Sequence, residues 1–207
     1  EAAIRAGARF YAGYPITPSS EIMEYLSWRM NEVGGAFVQA ESELAGINMV
    51  IGASSCGVRA LTASSGPGIS LKQEGISTLC DEGLPAVVIT QVRYGNGLGT
   101  LFTSQCDYHR ETRGGGQGDY RCIVLCPSSI QEFVDLMLPA YELAEKYRIV
   151  TIMMGEGTLG QMMEPVELPD FVEPKRTPWA LNGHYTYKKI GIFERDSMAE
   201  AVELRAK

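Results

Sequence analysis

Residues 58–92 read VRALTASSGPGISLKQEGISTLCDEGLPAVVITQV. The segment opens on an apolar run, Val58 to Thr62, and closes on a longer one, Pro85 to Val92, with a helical pattern over 69–82 between them. The same alternation continues outward in both directions. Further apolar runs lie at Arg9 to Tyr11, Ala36 to Val38, Cys122 to Leu125 and Ile149 to Met154, and further helical patterns at 21–33, 43–56 and 128–147. Strand and helix taken in turn at this spacing predict an α/β fold, a parallel sheet covered by helices on both faces. Helix 128–147 follows Pro127, can be capped by Ser128 or Ser129, and places Ile130, Phe133, Val134, Met137, Leu138 and Tyr141 on one face. Ligands of such sheets bind beyond the carboxyl ends of the strands, so the loops that follow strands are where function is sought.

The 207 residues, 45% of them hydrophobic, suffice to bury a full core and suit one large domain. A net charge of -7 without any basic cluster argues against a nucleic-acid partner. No window approaches the roughly 20 apolar residues of a spanning helix, and EAAIRAGARF lacks the marks of a signal peptide, so no membrane association and a cytoplasmic location are expected. The cysteines Cys56, Cys80, Cys106, Cys122 and Cys126 are odd in number and show no CxxC spacing. Cys122 and Cys126 bracket an apolar run as buried thiols at strand ends would, and no metal site is assigned. Helical patterns without punctuation at both termini suggest a piece of a longer subunit.

Two loops stand out. The stretch 94–118 holds seven glycines (95, 97, 99, 114, 115, 116 and 118) and no evident secondary structure, and structureless loops of this length are usually functional or disordered. The other is Gly13-Tyr14-Pro15-Ile16-Thr17-Pro18-Ser19-Ser20-Glu21, where a strand hands over to a helix. Taken alone it has a structural reading: Thr17 is a good N-cap, Pro18 suits the first helical position and Glu21 complements the helix dipole. Glu41 and Glu43 also fall where a strand meets a helix, where acids are favourable for the same electrostatic reason. Arg93, directly after Val87 to Val92, is by itself more often a salt-bridged surface arginine than an anion clamp. After Met163 four prolines break the periodicity, so 1–163 reads as the domain, 164–180 as a linker leading away from it, and 164–207 as linker plus the start of a following domain.

In their order along the chain, GYPITPSSE, QAESELAGINMVIGA, TASSGPGISLKQEGIS, VVITQVRYGNGLGT and RGGGQGDY resemble the alpha chain of 2-oxoacid:ferredoxin oxidoreductases over roughly residues 1–165. AGYPITPSSEIMEYLSWRM, QEGIS and LGQMMEPVE are similar above all to the enzymes for the branched-chain substrate 3-methyl-2-oxobutanoate (2-oxoisovalerate), while the 2-oxoglutarate enzymes share most of the segments. The resemblance implies a thiamine-diphosphate-binding fold of the pyrimidine-gripping kind. It also implies a beta chain carrying Mg²⁺ and the diphosphate site, and ferredoxin-like and gamma subunits carrying the iron–sulfur relay. The substrates implied are a 2-oxoacid and coenzyme A. Gly155-Glu156-Gly157 with Asn182 downstream imitates a diphosphate motif, but with Glu in place of Asp.

The same resemblance assigns site residues. A carboxyl group hydrogen-bonded to the aminopyrimidine N1′ promotes the tautomer that removes the thiazolium proton, and a desolvated carboxyl shares its proton most readily near neutrality. Thiamine enzymes carry a glycine nine positions after this acid. Counting from Glu43 reaches Gly52, whereas counting from Glu41 reaches Val50, so Glu43 is the expected catalytic acid and Glu41 the alternative. Arg93 and Thr17 match the residues that hold the substrate carboxylate, and Tyr14, Pro15, Ile16, Ser65 and Gly66 match those lining the cofactor, with Gln105 and Asp107 weaker candidates for the pocket. Two other readings compete. A transketolase- or dehydrogenase-type thiamine domain would not carry YPITPSSE before SSGPG. A dinucleotide module built on Gly95, Gly97 and Gly99 would need those glycines to open a helix after the first strand.

Overall fold

The computed structural model describes residues 1–173 together with Thr177 and Ala180; the segment expected to begin a second domain lies otherwise outside the described residues. Along the chain run α1 (Ala2–Arg5), β1 (Phe10–Gly13), α2 (Ser20–Glu32), β2 (Ala36–Gln39), α3 (Glu43–Ser55), β3 (Ala60–Ser64) and α4 (Gly66–Asp81). They are followed by β4 (Ala86–Val92), α5 (Tyr108–Arg113), β5 (Ile123–Leu125), α6 (Ile130–Asp135), α7 (Met137–Tyr147), β6 (Val150–Glu156) and α8 (Gly157–Gln161). The six strands form one sheet in the order β2-β1-β3-β4-β6-β5, and every pairing is parallel.

Side chains alternate across the sheet and feed two cores. Ile4, Met23, Leu26, Met30, Met137 and Tyr141 of α1, α2 and α7 cover Tyr11, Leu61, Val87, Ile89 and Met153 on one face. Ile47, Val50, Ile69, Ile76 and Leu79 of α3 and α4 cover Ala12, Ala60, Val88 and Ile152 on the other. Each such aliphatic side chain removed from water contributes about 1.5–3 kcal/mol. Strand β4 is buried along its whole length, which is why 86–89 reads as a continuous apolar run rather than an alternating one, with Thr90 and Gln91 buried near its end. The expected α/β layering with helices on both faces is therefore what the chain adopts.

The boundaries carry corrections. The helix expected over 128–147 is interrupted at Leu136. Pro139 is the cause: it has no N–H for the Asp135 carbonyl and its ring collides with that position. Of the two serines offered as its cap, Ser129 takes the role, accepting from Glu132 N at 3.1 Å. The helix expected over 69–82 begins earlier, at Gly66, with Pro67 in its first turn, where a missing N–H costs nothing. Thr17 and Pro18 do not start α2. The chain first turns, Ser19 N and Oγ both donating to the Ile16 carbonyl, and the helix starts at Ser20. The loop 94–118 is not without secondary structure, since α5 lies within it. Residues after Met163 do not leave at once: Val172 N donates to Arg5 O at 2.7 Å, Arg5 Nη1 to Pro169 O at 2.8 Å, and Gln131 exchanges two hydrogen bonds with Glu167.

Among the described residues no helix is long and apolar enough to cross a membrane. The topology itself points to one place. Strand β1 lies between β2 and β3, so the chain leaving β1, into α2, and the chain leaving β3, into α4, depart in opposite directions and on opposite faces. The loops at the carboxyl ends of β1 and β3 thus part to form a crevice, the position where sheets of this type bind ligands.

Candidate active site

Three strand ends meet at that crevice. Beyond Gly13 the chain runs through Tyr14, Pro15, Ile16 and Thr17; beyond Ser64 it turns at Ser65 into α4; beyond Val92 it reaches Arg93 and the glycine-rich loop. Helix α3 arrives from the neighbouring β2 and crosses close above β1, so close that a Cβ on Gly46 would stand 3.2 Å from Gly13 Cα.

The two candidate acids separate cleanly. Ser42 caps α3, its hydroxyl accepting from Ala45 N at 3.2 Å. That fixes Glu43 in the first helical turn with its side chain turned inward, 6% exposed, while Glu41 before the cap faces solvent. The Glu43 carboxyl rests against Gly68 of α4: a Cβ there would run into Ser64 Oγ and stand 2.5 Å from Glu43 Oε1. Only a glycine leaves the carboxyl this room. Behind it lies Lys72, fully buried one turn further along α4, its Nζ donating to Glu43 O at 3.3 Å. Burial lowers the Lys72 ammonium to about 8 even though the Glu43 charge opposes that shift.

Arg93 joins the loops. Its Nη1 donates to Thr17 O at 2.9 Å and its Nη2 to Leu98 O, while Nε is buried without a partner against Gly66. Gly66 has φ +46°, a backbone few side chains tolerate, and this lets the chain pass beneath the guanidinium. The structure thus brings Glu43, Ser65, Gly66, Thr17 and Arg93 to one crevice; Tyr14 and Pro15 form its exposed rim and Ile16 is half-buried. Gln105 is exposed. Asp107 is a tether rather than a lining group: it is buried and paired with Arg110 at 3.0 Å, and Arg110 in turn holds Glu111 and the Gly66 carbonyl. Tyr120 completes the fastening of this loop, accepting from Gly115 N and Gly116 N and donating to Gln73 Oε1.

Gly68, Ser64 and Lys72 were not among the expected site residues. Lys72 had a visible signal, since it falls in the stripe Ile69, Ile76, Leu79 that turns inward. Ser64 and Gly68 needed the pairing of β3 with the start of α4.

The donor set suits an aminopyrimidine. A buried carboxyl that makes no hydrogen bond among the described residues stands beside two buried hydroxyls, Ser64 and Ser65 Oγ, that also lack partners. Unpaired polar atoms buried together are costly unless a ligand completes them.

Comparison with known proteins identifies the family. The model of the family described as pyruvate flavodoxin/ferredoxin oxidoreductase, thiamine diphosphate-binding, matches residues 1–197, and the chain belongs to that family. Ketoisovalerate oxidoreductase subunit VorB of Methanothermobacter marburgensis is 52% identical over 87% of this chain and 52% of its own length. 2-Oxoglutarate synthase subunit KorA of Methanocaldococcus jannaschii is 46% identical over 83% of this chain and 47% of its own. In three dimensions the chain is similar to 2-oxoglutarate:ferredoxin oxidoreductase of Magnetococcus marinus, solved with 2-oxoglutarate, coenzyme A and succinyl-CoA bound. The TM-score is 0.74 at 34% identity, covering 77% of this chain and 28% of that one. The chain spans about half the length of the curated relatives it matches.

Proposed function

We propose that this chain is the pyrimidine-binding part of a 2-oxoacid:ferredoxin oxidoreductase that oxidatively decarboxylates a branched-chain 2-oxoacid with coenzyme A as acyl acceptor. The observation that carries the reading is Glu43, buried at the crevice with a carboxyl that makes no hydrogen bond among the described residues and facing a glycine that leaves it space. Thiamine diphosphate supplies, when bound, the carbanion chemistry that decarboxylation needs. The work of this chain is narrower. Glu43 holds and moves a proton at N1′ of the pyrimidine, and Ser64 and Ser65 offer hydroxyls to its remaining polar edge. Arg93 binds the carboxylate of the 2-oxoacid through the second N–H of each Nη, which its contacts with Thr17 O and Leu98 O leave free, with the Thr17 hydroxyl beside it. Tyr14, Pro15 and Ile16 shield the crevice from water.

Mg²⁺ and the diphosphate belong to a beta chain in this reading, and the iron–sulfur relay to ferredoxin-like and gamma subunits. The branched-chain assignment follows the ketoisovalerate relatives, at 52% identity against 46% or less for the 2-oxoglutarate ones. Turnover of 2-oxoisovalerate, 2-oxoglutarate and pyruvate, measured on the co-expressed complex with coenzyme A and a viologen dye, tests it. The expected result is the highest kcat/KM for 2-oxoisovalerate and none for this chain by itself. A preference for 2-oxoglutarate would overturn the substrate, and equal turnover by the isolated chain would overturn the partner requirement.

A further inference from the structure

We propose that Lys72 is a positioning residue for Glu43, its buried ammonium holding the first turn of α3 and balancing the Glu43 carboxylate opposite Gly68. This rests on the reading of Glu43 as the pyrimidine contact. Lys72 has no exposed surface. An ammonium carries three donors, yet a single hydrogen bond is made among the described residues, to the Glu43 carbonyl. No carboxylate lies within ion-pair distance of it there. A methionine of nearly the same volume would fill the space between α3 and α4 without burying a charge, so packing alone does not explain a lysine.

Its electrical surroundings are simple. Strands β3 and β4, beneath α4, carry no titratable side chain, and β6 carries only Glu156 at its end. The loop after β4 presents Asp107, Arg110 and Glu111 near Gly66 and Ser70, and Tyr120 at Gln73. Glu74 on α4 itself faces solvent. Of all these neighbours, Glu43 is the group whose charge bears on Lys72, and it favours the ammonium. A cation behind Glu43 therefore favours the arrangement in which the proton shared with the pyrimidine sits on the ring, the arrangement from which the thiazolium proton is lost.

The experiment follows proton exchange at the thiazolium C2 by NMR in the assembled, thiamine diphosphate-loaded complex as pH is raised through about 8, where Lys72 gives up its proton. Wild-type exchange, corrected for hydroxide, is expected to step down there. Lys72→Arg, whose guanidinium stays charged, should show no step and stay fast. Lys72→Met should show no step and exchange about tenfold more slowly, the equivalent of one pKa unit. A second readout needs no chemistry. Calorimetry of thiamine diphosphate binding in buffers of different ionisation heat counts the protons taken up, and that count should change near pH 8 in the wild type but not in Lys72→Met. Superimposable wild-type and Lys72→Met results in both measurements overturn the proposal. If Lys72→Met fails to fold, a step persisting in Lys72→Arg overturns it instead. Normal C2 exchange in Glu43→Gln would remove Glu43 from the pyrimidine site and with it the functional reading. The calorimetric step remains informative even then, moving to lower pH in Glu43→Gln if the two side chains are coupled and standing still if they are not.

Discussion

Glu41 and Glu43 are two residues apart and chemically identical, yet a serine cap between them sends one into the crevice and the other into water. Glu43→Gln should slow C2 proton exchange in the assembled complex by roughly 10² to 10⁴, the value of a general acid–base group, while Glu41→Gln leaves it near normal; the reverse pattern would transfer the role to Glu41. Gly68→Ala probes the same carboxyl from the opposite helix. The added methyl must displace Ser64 Oγ and Glu43 Oε1, so thiamine diphosphate affinity measured by calorimetry should fall at least tenfold. The unfolding free energy should drop by about 1–3 kcal/mol, as overpacking usually costs. Unchanged affinity would mean that the carboxyl does not need its present place.

At the scale of elements, α4 couples a buried base to the stability of the fold. Lys72 is lowered to about 8 in the folded chain from 10.5. Between these values the unfolded chain binds more protons, so stability rises with pH across that window. The rise amounts to as much as about 3 kcal/mol at 1.36 kcal/mol per unit. Lys72→Met should lack it, and urea unfolding of both variants at several pH values from 8 upward measures the difference. The segment after α8 makes a second test. Gln131 holds Glu167 through two hydrogen bonds, and Gln131→Ala should hasten proteolytic cleavage within 164–172 without lowering the melting temperature of the domain. The strands and the long helices were legible because their apolar periodicities are set locally. The break that Pro139 imposes on the helix expected over 128–147 was not read, although its missing N–H marks it in the sequence. Helix α5 was hidden by the glycines around it, and the start of α2 by a turn that ties Ser19 back to Ile16, which residue preference at Thr17 and Pro18 does not foretell. Glu43 stood out by its glycine spacing, but its contacts with Gly68, Ser64 and Lys72 depend on how α3 and α4 lie together, which a linear pattern does not contain.

Over the whole molecule, the order β2-β1-β3-β4-β6-β5 places β6 between two strands made before it. During synthesis β4, seven residues, five of them apolar, buried on both faces in the finished fold, leaves the ribosome long before the strand that pairs with its free side. That strand begins at Val150, about 60 residues later, which at the usual elongation rate is a wait of roughly 3–12 s. Through that interval the centre of the sheet is an open edge, the surface on which chains stick to one another. A version ending just before Val150 should accordingly collect in the insoluble fraction, whereas one ending after Met163 stays in solution, and centrifugation of the two expressed side by side decides it. The short, half-buried β5 then acts as a border strand, set in place only when β6 closes the gap. For the cell, a ribosome that stalls after β4 has emerged and before β6 has is thus a greater hazard than one stalled earlier or later, and chaperone demand for this polypeptide should peak in that interval.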